Sequence, residues 1–221
     1  MTSTNTNVFE QVALFQDLGP AEWDRLTARA QLRSYPKNAI LVTEGDETDS
    51  LFIIKSGRVK IYLSDEEGRE MILNIQGPGD YFGEVALLDG APRSSSAMAL
   101  ENCELYVIKK REFEQFLLHH PEVALQVIKG LTQRLRTLTD NVRNIALKDV
   151  YGRIVAVLNK MAEEDKGLRV IRQRLTHKDI AAMVGSSREM VSRIFKELSN
   201  GGYLASDKHG IIIKKKLPAR W

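Results

Sequence analysis

The sequence predicts an α+β fold: an N-terminal antiparallel β-roll of the jelly-roll type, a long helix and a C-terminal winged helix-turn-helix. Between residues 35 and 110, short alternating apolar runs are separated by glycine turns. Beyond residue 110 the apolar spacing becomes helical. Residues 175–204 then show two short helical patterns separated by a glycine. The predicted boundaries are 8–120 for the roll, 121–149 for the long helix and hinge, and 150–221 for the last domain.

The composition is that of an ordinary globular protein, with 43% hydrophobic and 28% charged residues. A single cysteine, Cys103, excludes a disulfide framework and a cysteine-ligated cluster, and it fits a reducing compartment. The N-terminus lacks the pattern of a signal peptide, and no apolar run approaches the ~18 residues of a membrane helix. We therefore expect a cytoplasmic protein with no membrane partner.

Charge is distributed unevenly along the chain. Residues 1–150 hold 17 basic and 22 acidic side chains, a net charge of −5, whereas residues 151–221 hold 15 and 7, a net charge of +8. A basic segment beside an acidic one suggests that the second part meets a polyanion such as nucleic acid. An ordinary basic, solvated surface is the alternative.

The first elements are a helix and then the strands of the roll. Helical spacing over residues 8–33 is set by apolar side chains at Leu14, Phe15, Leu18, Trp23 and Leu26. Residues 51–63 read as two strands joined at Ser56-Gly57.

A metal-dependent enzyme of the cupin type is a rival interpretation of the roll, because cupins ligate a metal through histidines inside a similar roll. The four histidines are His119, His120, His177 and His209, and none lies between residues 34 and 118. The sequence therefore predicts no metal site and no catalytic residue.

Residues 81–97, YFGEVALLDGAPRSSSA, carry the clearest chemistry in the roll. The Glu84 carboxylate can accept hydrogen bonds from sugar hydroxyls, and the Arg93 guanidinium can clamp a phosphate with two parallel bonds. Three small residues allow backbone N–H groups to approach the same phosphate: Ala91, Ser94 and Ser95. The alternative is a surface ion pair between Glu84 and Arg93 in a glycine-rich turn.

A long helix follows, with an apolar residue alternately every fourth and third position: Ala124, Ile128, Leu131, Leu135, Leu138, Val142 and Ile145. We call this stripe the apolar seam. A narrow seam held over three heptads indicates two-stranded dimerisation, although a helix packed on its own roll is the alternative. Residues 149–152 interrupt the seam and predict a hinge.

Residues 175–204 predict a helix-turn-helix. Thr176 is a candidate N-cap, Gly185 ends the first helix, and Ser186 or Ser187 caps the second. The second helix has an inward apolar stripe: Val191, Ile194, Phe195 and Leu198. Its outward face carries Arg188, Glu189, Ser192, Arg193 and Lys196, which suit base edges in a major groove. An ordinary helical hairpin with a charged face is the alternative.

The last segment, residues 203–216, predicts a β-hairpin that turns near residues 207–210. This hairpin would form the wing, with Lys214, Lys215 and Lys216 near the DNA backbone.

From about residue 10 to 216 the chain resembles the Crp/Fnr transcription regulators, closest to the cyclic-AMP receptor protein branch. The resemblance rests on the order of the domains, on FGE and PRS in residues 81–97, and on the stretch SREMVSR. It implies a homodimeric bacterial regulator without catalytic activity, whose affinity for double-stranded DNA is controlled by a cyclic nucleotide. It also implies a palindromic TGTGA-type site, and RNA polymerase is an expected partner.

The resemblance implies that Gly83 and Glu84 hold the ribose, that Arg93 and Ser94 hold the phosphate, and that Arg188, Glu189 and Arg193 read bases. Together with the residue patterns above, it gives two predicted sets. The ligand set comprises Gly83, Glu84, Val85, Arg93, Ser94, Ser95, Arg134, Leu138 and Thr139. The DNA set comprises Thr176, Ser187, Arg188, Glu189, Ser192, Arg193, Lys196 and Lys215.

The ligand that the resemblance favours is cyclic AMP. Oxygen-sensing relatives need several cysteines, and this chain has only Cys103; haem-sensing relatives need an axial histidine in the roll or nearby, and residues 34–118 contain none. Leu138 departs from the receptor-protein branch, which places a base-contacting hydroxyl there. Cyclic GMP, cyclic di-GMP and a regulator that needs no ligand therefore stay as alternatives.

Overall fold

A computed structural model describes residues 12, 26, 28–47, 49–165, 167–173, 175–207 and 210–218 of the chain. The predicted helix over residues 8–33 falls mostly outside the described residues. Its predicted end is wrong, because the first strand, β1, already begins at Gln31 and pairs residue by residue with a later strand, Arg33 opposite Leu105. The predicted α+β class is confirmed.

Two four-stranded sheets form the roll, in the orders β1-β8-β3-β6 and β2-β7-β4-β5. The first contains β1 (Gln31–Tyr35), β3 (Ser50–Ser56), β6 (Tyr81–Phe82) and β8 (Cys103–Lys109). The second contains β2 (Ile40–Val42), β4 (Val59–Ser64), β5 (Glu70–Gln76) and β7 (Ser96–Ala99). The two strands predicted in residues 51–63 are confirmed as β3 and β4, but they belong to different sheets because the chain crosses over at Gly57.

The strands of the roll bury apolar side chains in two clusters. Ile54, Val59 and Leu105 are completely buried in one cluster. A second cluster joins the roll to two helices, α2 (Lys110–His119) and the start of α3 (Pro121–Leu147), through Phe113 and Val123. A short helix, α1 (Glu84–Asp89), lies between β6 and β7, where the sequence suggested only a loop.

The C-terminal part begins after a break between α3 and α4 (Val150–Met161). Asp149 caps α4 by accepting a hydrogen bond from the Gly152 backbone N–H at 2.7 Å, which fixes where the new helix starts. Two further helices, α5 (His177–Val184) and α6 (Arg188–Asn200), follow.

Four short strands complete this part, in the order β11-β12-β10-β9. The predicted wing is confirmed as β11 (Leu204–Asp207) paired with β12 (Gly210–Ile213). The hairpin of β9 (Glu163–Asp165) and β10 (Leu168–Ile171) was not predicted, and β10 holds β12 in place through antiparallel pairing.

The chain divides into two compact units, with the division inside α3 between Leu135 and Arg136, and with residues 65–72 grouped with the second unit. The domain boundaries given above remain predictions. No helix in the described ranges is both long and apolar enough to cross a membrane.

Candidate functional site

Glu84 is the first residue of α1 and is completely buried. Its Oε1 forms an ion pair with Arg134 of α3. Its Oε2 has no hydrogen-bond partner among the described residues, although it is buried. Buried polar atoms are normally paired, so this oxygen can accept a further hydrogen bond.

Arg134 ties α3 to this carboxylate. Its Nη2 donates to the Tyr81 carbonyl oxygen at 2.6 Å, and the guanidinium lies 4.5 Å from the centre of the Tyr81 ring. One turn earlier on α3, Gly130 faces the Tyr81 hydroxyl so closely that a Cβ there would collide with it. The absence of a side chain at Gly130 therefore lets α3 approach the site.

Arg93 is also buried, and two backbone carbonyls hold its guanidinium. Nη1 donates to Gly83 at 3.0 Å and Nη2 donates to Ser50 at 2.8 Å. Burial lowers the pKa of Arg93 from its ordinary value, and the charge of Asp49 acts in the opposite direction. An arginine remains charged at neutral pH in spite of such a shift, so the site contains a fixed cation with N–H groups beyond the two that these bonds use.

Gly83 brings the two charged residues together, since its carbonyl accepts from Arg93 and its peptide continues into Glu84. Its φ of +88° lies in the left-handed region, and a Cβ would strike the Arg93 guanidinium, so only glycine fits. The surface ion pair between Glu84 and Arg93, the alternative considered above, is wrong, because both side chains are buried and Glu84 pairs with Arg134.

The other residues of the predicted ligand set are more accessible. Val85 and Ser94 are exposed, and Ser95 is half-buried. Leu138 and Thr139 lie on an exposed stretch of α3.

The predicted apolar seam lies on α3 and is largely uncovered in the single chain. The exposed fractions are 55% for Ile128, 64% for Leu135, 43% for Leu138, 66% for Val142 and 46% for Ile145. Leu131 is half-buried against the core cluster of the roll. Dimerisation through the exposed part of the seam stays a prediction.

The predicted helix-turn-helix is confirmed, and capping residues set the ends of its two helices. Thr176 accepts from the Asp179 backbone N–H at 3.1 Å, and the Asp179 carboxylate accepts from the Thr176 N–H at 2.8 Å, which completes a capping box. Gly185 ends α5 with a φ of +61°. Of the two candidate caps for α6, Ser187 is the one used, and it accepts from the Met190 N–H at 3.2 Å.

The two faces of α6 differ as predicted. The inward stripe is buried: Val191, Ile194, Phe195 and Leu198. The exposed residues are Arg188, Glu189, Arg193 and Lys196. Arg193 donates to the Met190 sulfur at 2.9 Å, which holds its guanidinium along the helix.

Ser192 differs from the other predicted DNA residues of α6. It is half-buried, and its hydroxyl forms a 2.8 Å hydrogen bond with His177 Nδ1 at the start of α5. The His177 ring packs on Phe195, with 4.9 Å between ring centres. Ser192 and His177 thus join the two helices, a link that residue spacing alone did not indicate.

In the wing, Lys215 is exposed and its ammonium lies 5.9 Å from the centre of the Tyr203 ring. The Lys214 backbone N–H donates to the carbonyl of Tyr203, the residue before β11, at 2.8 Å, which fixes the start of this basic segment.

Sequence reasoning missed Gln76, at the end of β5. It is 4% exposed, and its Nε2 donates to the Tyr81 carbonyl at 3.1 Å, the same oxygen that accepts from Arg134. Among the described residues, Gln76 Oε1 and the Tyr81 hydroxyl have no hydrogen-bond partner. A polar residue at an inward strand position was the available signal, but only the structure shows that it is buried.

Comparison with known proteins identifies the family. Residues 32–120 match the model of the cyclic nucleotide-binding domain, and residues 152–216 match that of the Crp-like helix-turn-helix domain. The chain belongs to the Crp/Fnr family. Members of this family are transcription regulators, so the predicted resemblance is confirmed.

Crp/Fnr relatives match over nearly the whole chain. One is the CRP-like cAMP-activated global transcriptional regulator of Mycobacterium tuberculosis, 30% identical over 210 residues, which cover 93% of this chain and 94% of the relative. Another is the cAMP-activated global transcriptional regulator CRP of Salmonella typhimurium, 30% identical over 196 residues, which cover 87% and 92%.

Solved structures of the Crp/Fnr family share the fold. The c-di-GMP-responsive global regulator CLP of Xanthomonas campestris is 25% identical, with a TM-score of 0.78 over 89% of this chain and 100% of that chain. The catabolite activator protein of Thermus thermophilus is 29% identical, with a TM-score of 0.56 over 91% and 93%.

Proposed function

We propose that this Crp/Fnr regulator is a homodimer whose affinity for DNA is controlled by a cyclic nucleotide bound beside Glu84 and Arg93. Cyclic AMP is the favoured ligand, and a TGTGA-type palindrome is the favoured site. The observation that carries the proposal is a buried carboxylate with one unpaired oxygen next to a buried, anchored guanidinium. The protein acts by binding, without catalysis, in the bacterial cytoplasm, with RNA polymerase as a partner.

The two charged groups suit the two polar parts of a cyclic nucleotide. Glu84 Oε2 accepts the hydrogen of the ribose hydroxyl, and the remaining N–H groups of Arg93 bind the cyclic phosphate. Gly83 flanks the ribose, and Ser94 adds a hydroxyl at the phosphate. The names of the relatives described as cAMP-activated favour cyclic AMP.

Calorimetric titration of nucleotide-free protein with cyclic AMP, cyclic GMP and cyclic di-GMP tests the ligand. We expect Glu84→Gln to weaken binding at least tenfold, since a hydrogen bond to a charged group contributes roughly 1.5–3 kcal/mol. Glu101→Gln is the matched control, because Glu101 pairs with Arg58 on the surface of the same roll. Equal binding by wild type and Glu84→Gln would contradict the proposed site.

A second candidate is control by cyclic di-GMP, which the structural similarity to CLP favours. The same titrations separate the two, because a cyclic di-GMP regulator would bind that dinucleotide in preference to cyclic AMP. A regulator that needs no ligand would give no heat with any of the three and would bind DNA fully without them.

The exposed seam on α3 supports dimerisation, since association would remove five large apolar side chains from water. Two α6 helices related by a twofold axis would then enter successive major grooves about 34 Å apart. A palindromic site mirrors that symmetry.

Ligand control can act through α3, because Arg134 is ion-paired with Glu84 and lies on the seam-bearing helix. A ligand that binds one packing of the two helices better than another shifts the population toward it. Gel-shift titrations with and without cyclic nucleotide test this coupling, and affinities for DNA that do not depend on nucleotide would contradict it.

A further inference from the structure

The side-chain amide of Gln76 has one paired end and one unpaired end. Its nitrogen lies 3.1 Å from the Tyr81 carbonyl oxygen, and the amide cannot be turned around, because two carbonyl oxygens would then face each other. The unpaired atom is therefore the oxygen Oε1. Any group that completes this site must donate an N–H or O–H.

An unpaired acceptor at this depth is unfavourable for folding. Gln76 is 4% exposed, and the other fully inward position of the same strand is the apolar Ile72, which is 6% exposed. Because an unpaired buried acceptor loses its hydration without compensation, an apolar side chain would suit folding alone better. A bound ligand that donates to this oxygen would remove the penalty.

Hydrogen bonds connect Gln76 to the candidate ligand site. The Tyr81 carbonyl accepts from both Gln76 and Arg134, and Arg134 is ion-paired with Glu84. The connected group thus contains two unpaired oxygens that can only accept, Gln76 Oε1 and Glu84 Oε2, and the Tyr81 hydroxyl, which is also unpaired. One ligand hydroxyl carries a single hydrogen and cannot satisfy both acceptors.

We propose that Gln76 determines base specificity by accepting a hydrogen bond from the exocyclic amine of a purine in the bound cyclic nucleotide. This inference rests on the proposed function, which assigns the ribose hydroxyl to Glu84. The cyclic phosphate has no donor, and the exocyclic amine of the base is the other donor that cyclic AMP carries. Leu138 offers no hydrogen bond to a base, and Gln76 Oε1 is an acceptor that can replace the bond lost there.

The experiment compares two ligands that differ only in the donor. Wild type and Gln76→Leu are titrated calorimetrically with cyclic AMP and with purine riboside 3′,5′-cyclic monophosphate, which lacks the amine. Wild type should prefer cyclic AMP about tenfold, the size of one lost hydrogen bond at a buried acceptor. Gln76→Leu should bind cyclic AMP about tenfold more weakly and should no longer distinguish the ligands. Gln76→Met keeps the unbranched shape of glutamine and is the second variant, in case leucine distorts the strand. It should also bind cyclic AMP about tenfold more weakly and should not distinguish the two ligands.

A preference for cyclic AMP that survives in both variants would overturn the proposal. An equal weakening of both ligands would also overturn it, because a structural role affects both alike. Glu84→Gln tests the ligand site separately: it should weaken both ligands equally, and unchanged binding would overturn the proposed function itself. If cyclic GMP is the nucleotide bound, the same comparison uses cyclic GMP and cyclic IMP, which lacks the amine of guanine. Binding of none of these nucleotides would overturn both proposals.

Discussion

Replacing Arg93 should weaken nucleotide binding and lower the stability of the roll, and the two effects can be measured separately. Arg93→Ala removes the proposed phosphate contact, and a charge-assisted bidentate contact contributes roughly 1.5–3 kcal/mol, so nucleotide affinity should fall at least tenfold. Arg93→Lys should also bind poorly, because an ammonium cannot present two parallel N–H groups.

The cost in stability follows from the two carbonyls that Arg93 holds. Arg93→Ala leaves the Gly83 and Ser50 oxygens without this donor, and a buried unsatisfied acceptor costs about 1–3 kcal/mol. Ser50 is 3% exposed, whereas Gly83 is half-buried and water can reach it more easily. We therefore expect the free energy of unfolding of the roll to fall by about 2–4 kcal/mol.

Denaturant unfolding measures the stability, and calorimetry well below the transition measures the affinity of the folded protein. Arg58→Ala is the matched control, because Arg58 forms a bidentate pair with Glu101, with N–O distances of 3.2 and 3.1 Å, at the edge of the roll. A partly exposed pair of this kind contributes about 0–1 kcal/mol and should leave binding unchanged. A folded Arg93→Ala protein that binds nucleotide like wild type would refute the assignment.

Leu138→Thr should sharpen discrimination for cyclic AMP over cyclic GMP, and an unchanged ratio of the two affinities would show that Leu138 does not face the base. Leu135→Asp should give a largely monomeric protein in sedimentation experiments, because burying an unpaired carboxylate in a dry interface is costly. Lys129→Asp, at an exposed position of the same helix, is the control and should remain dimeric. A Leu135→Asp protein that is dimeric at micromolar concentration would place the interface elsewhere. Arg188→Ala should reduce the binding free energy for a TGTGA-type palindrome by roughly 1–3 kcal/mol, and that for unrelated DNA by much less. Lys215→Ala should weaken binding to both DNAs similarly and make the slope of log affinity against log salt concentration shallower by about one. Gel-shift titrations at two salt concentrations measure both, and equal losses for Arg188→Ala on the two DNAs would make it a phosphate contact.

The elements predicted best from sequence are those that local chemistry determines. Thr176, Gly185 and Ser187 are capping residues whose preferences act within one turn of a helix, and the structure places the helix ends where these residues predict them. The seam on α3 is equally local, because its spacing is a property of one helix.

The features that sequence did not predict depend on contacts between distant residues. Glu84 and Arg134 are 50 positions apart, and only the family resemblance suggested that they act together. The sequence around Gln76 does not show that this side chain is buried, because its burial depends on how β5 packs in the folded roll. The β9–β10 hairpin is short and forms part of a sheet only because β10 pairs with β12.

If the exposed seam on α3 is the dimer interface, the amount of the protein in a cell becomes a regulatory variable. If the chains associate through this seam, dimer formation at low abundance rises with the square of the chain concentration. Promoter occupancy would then respond steeply to gene dosage even at constant nucleotide. A change in the synthesis or turnover of the regulator would then act as a second input, because a fall in chain concentration lowers the dimer concentration more than proportionally.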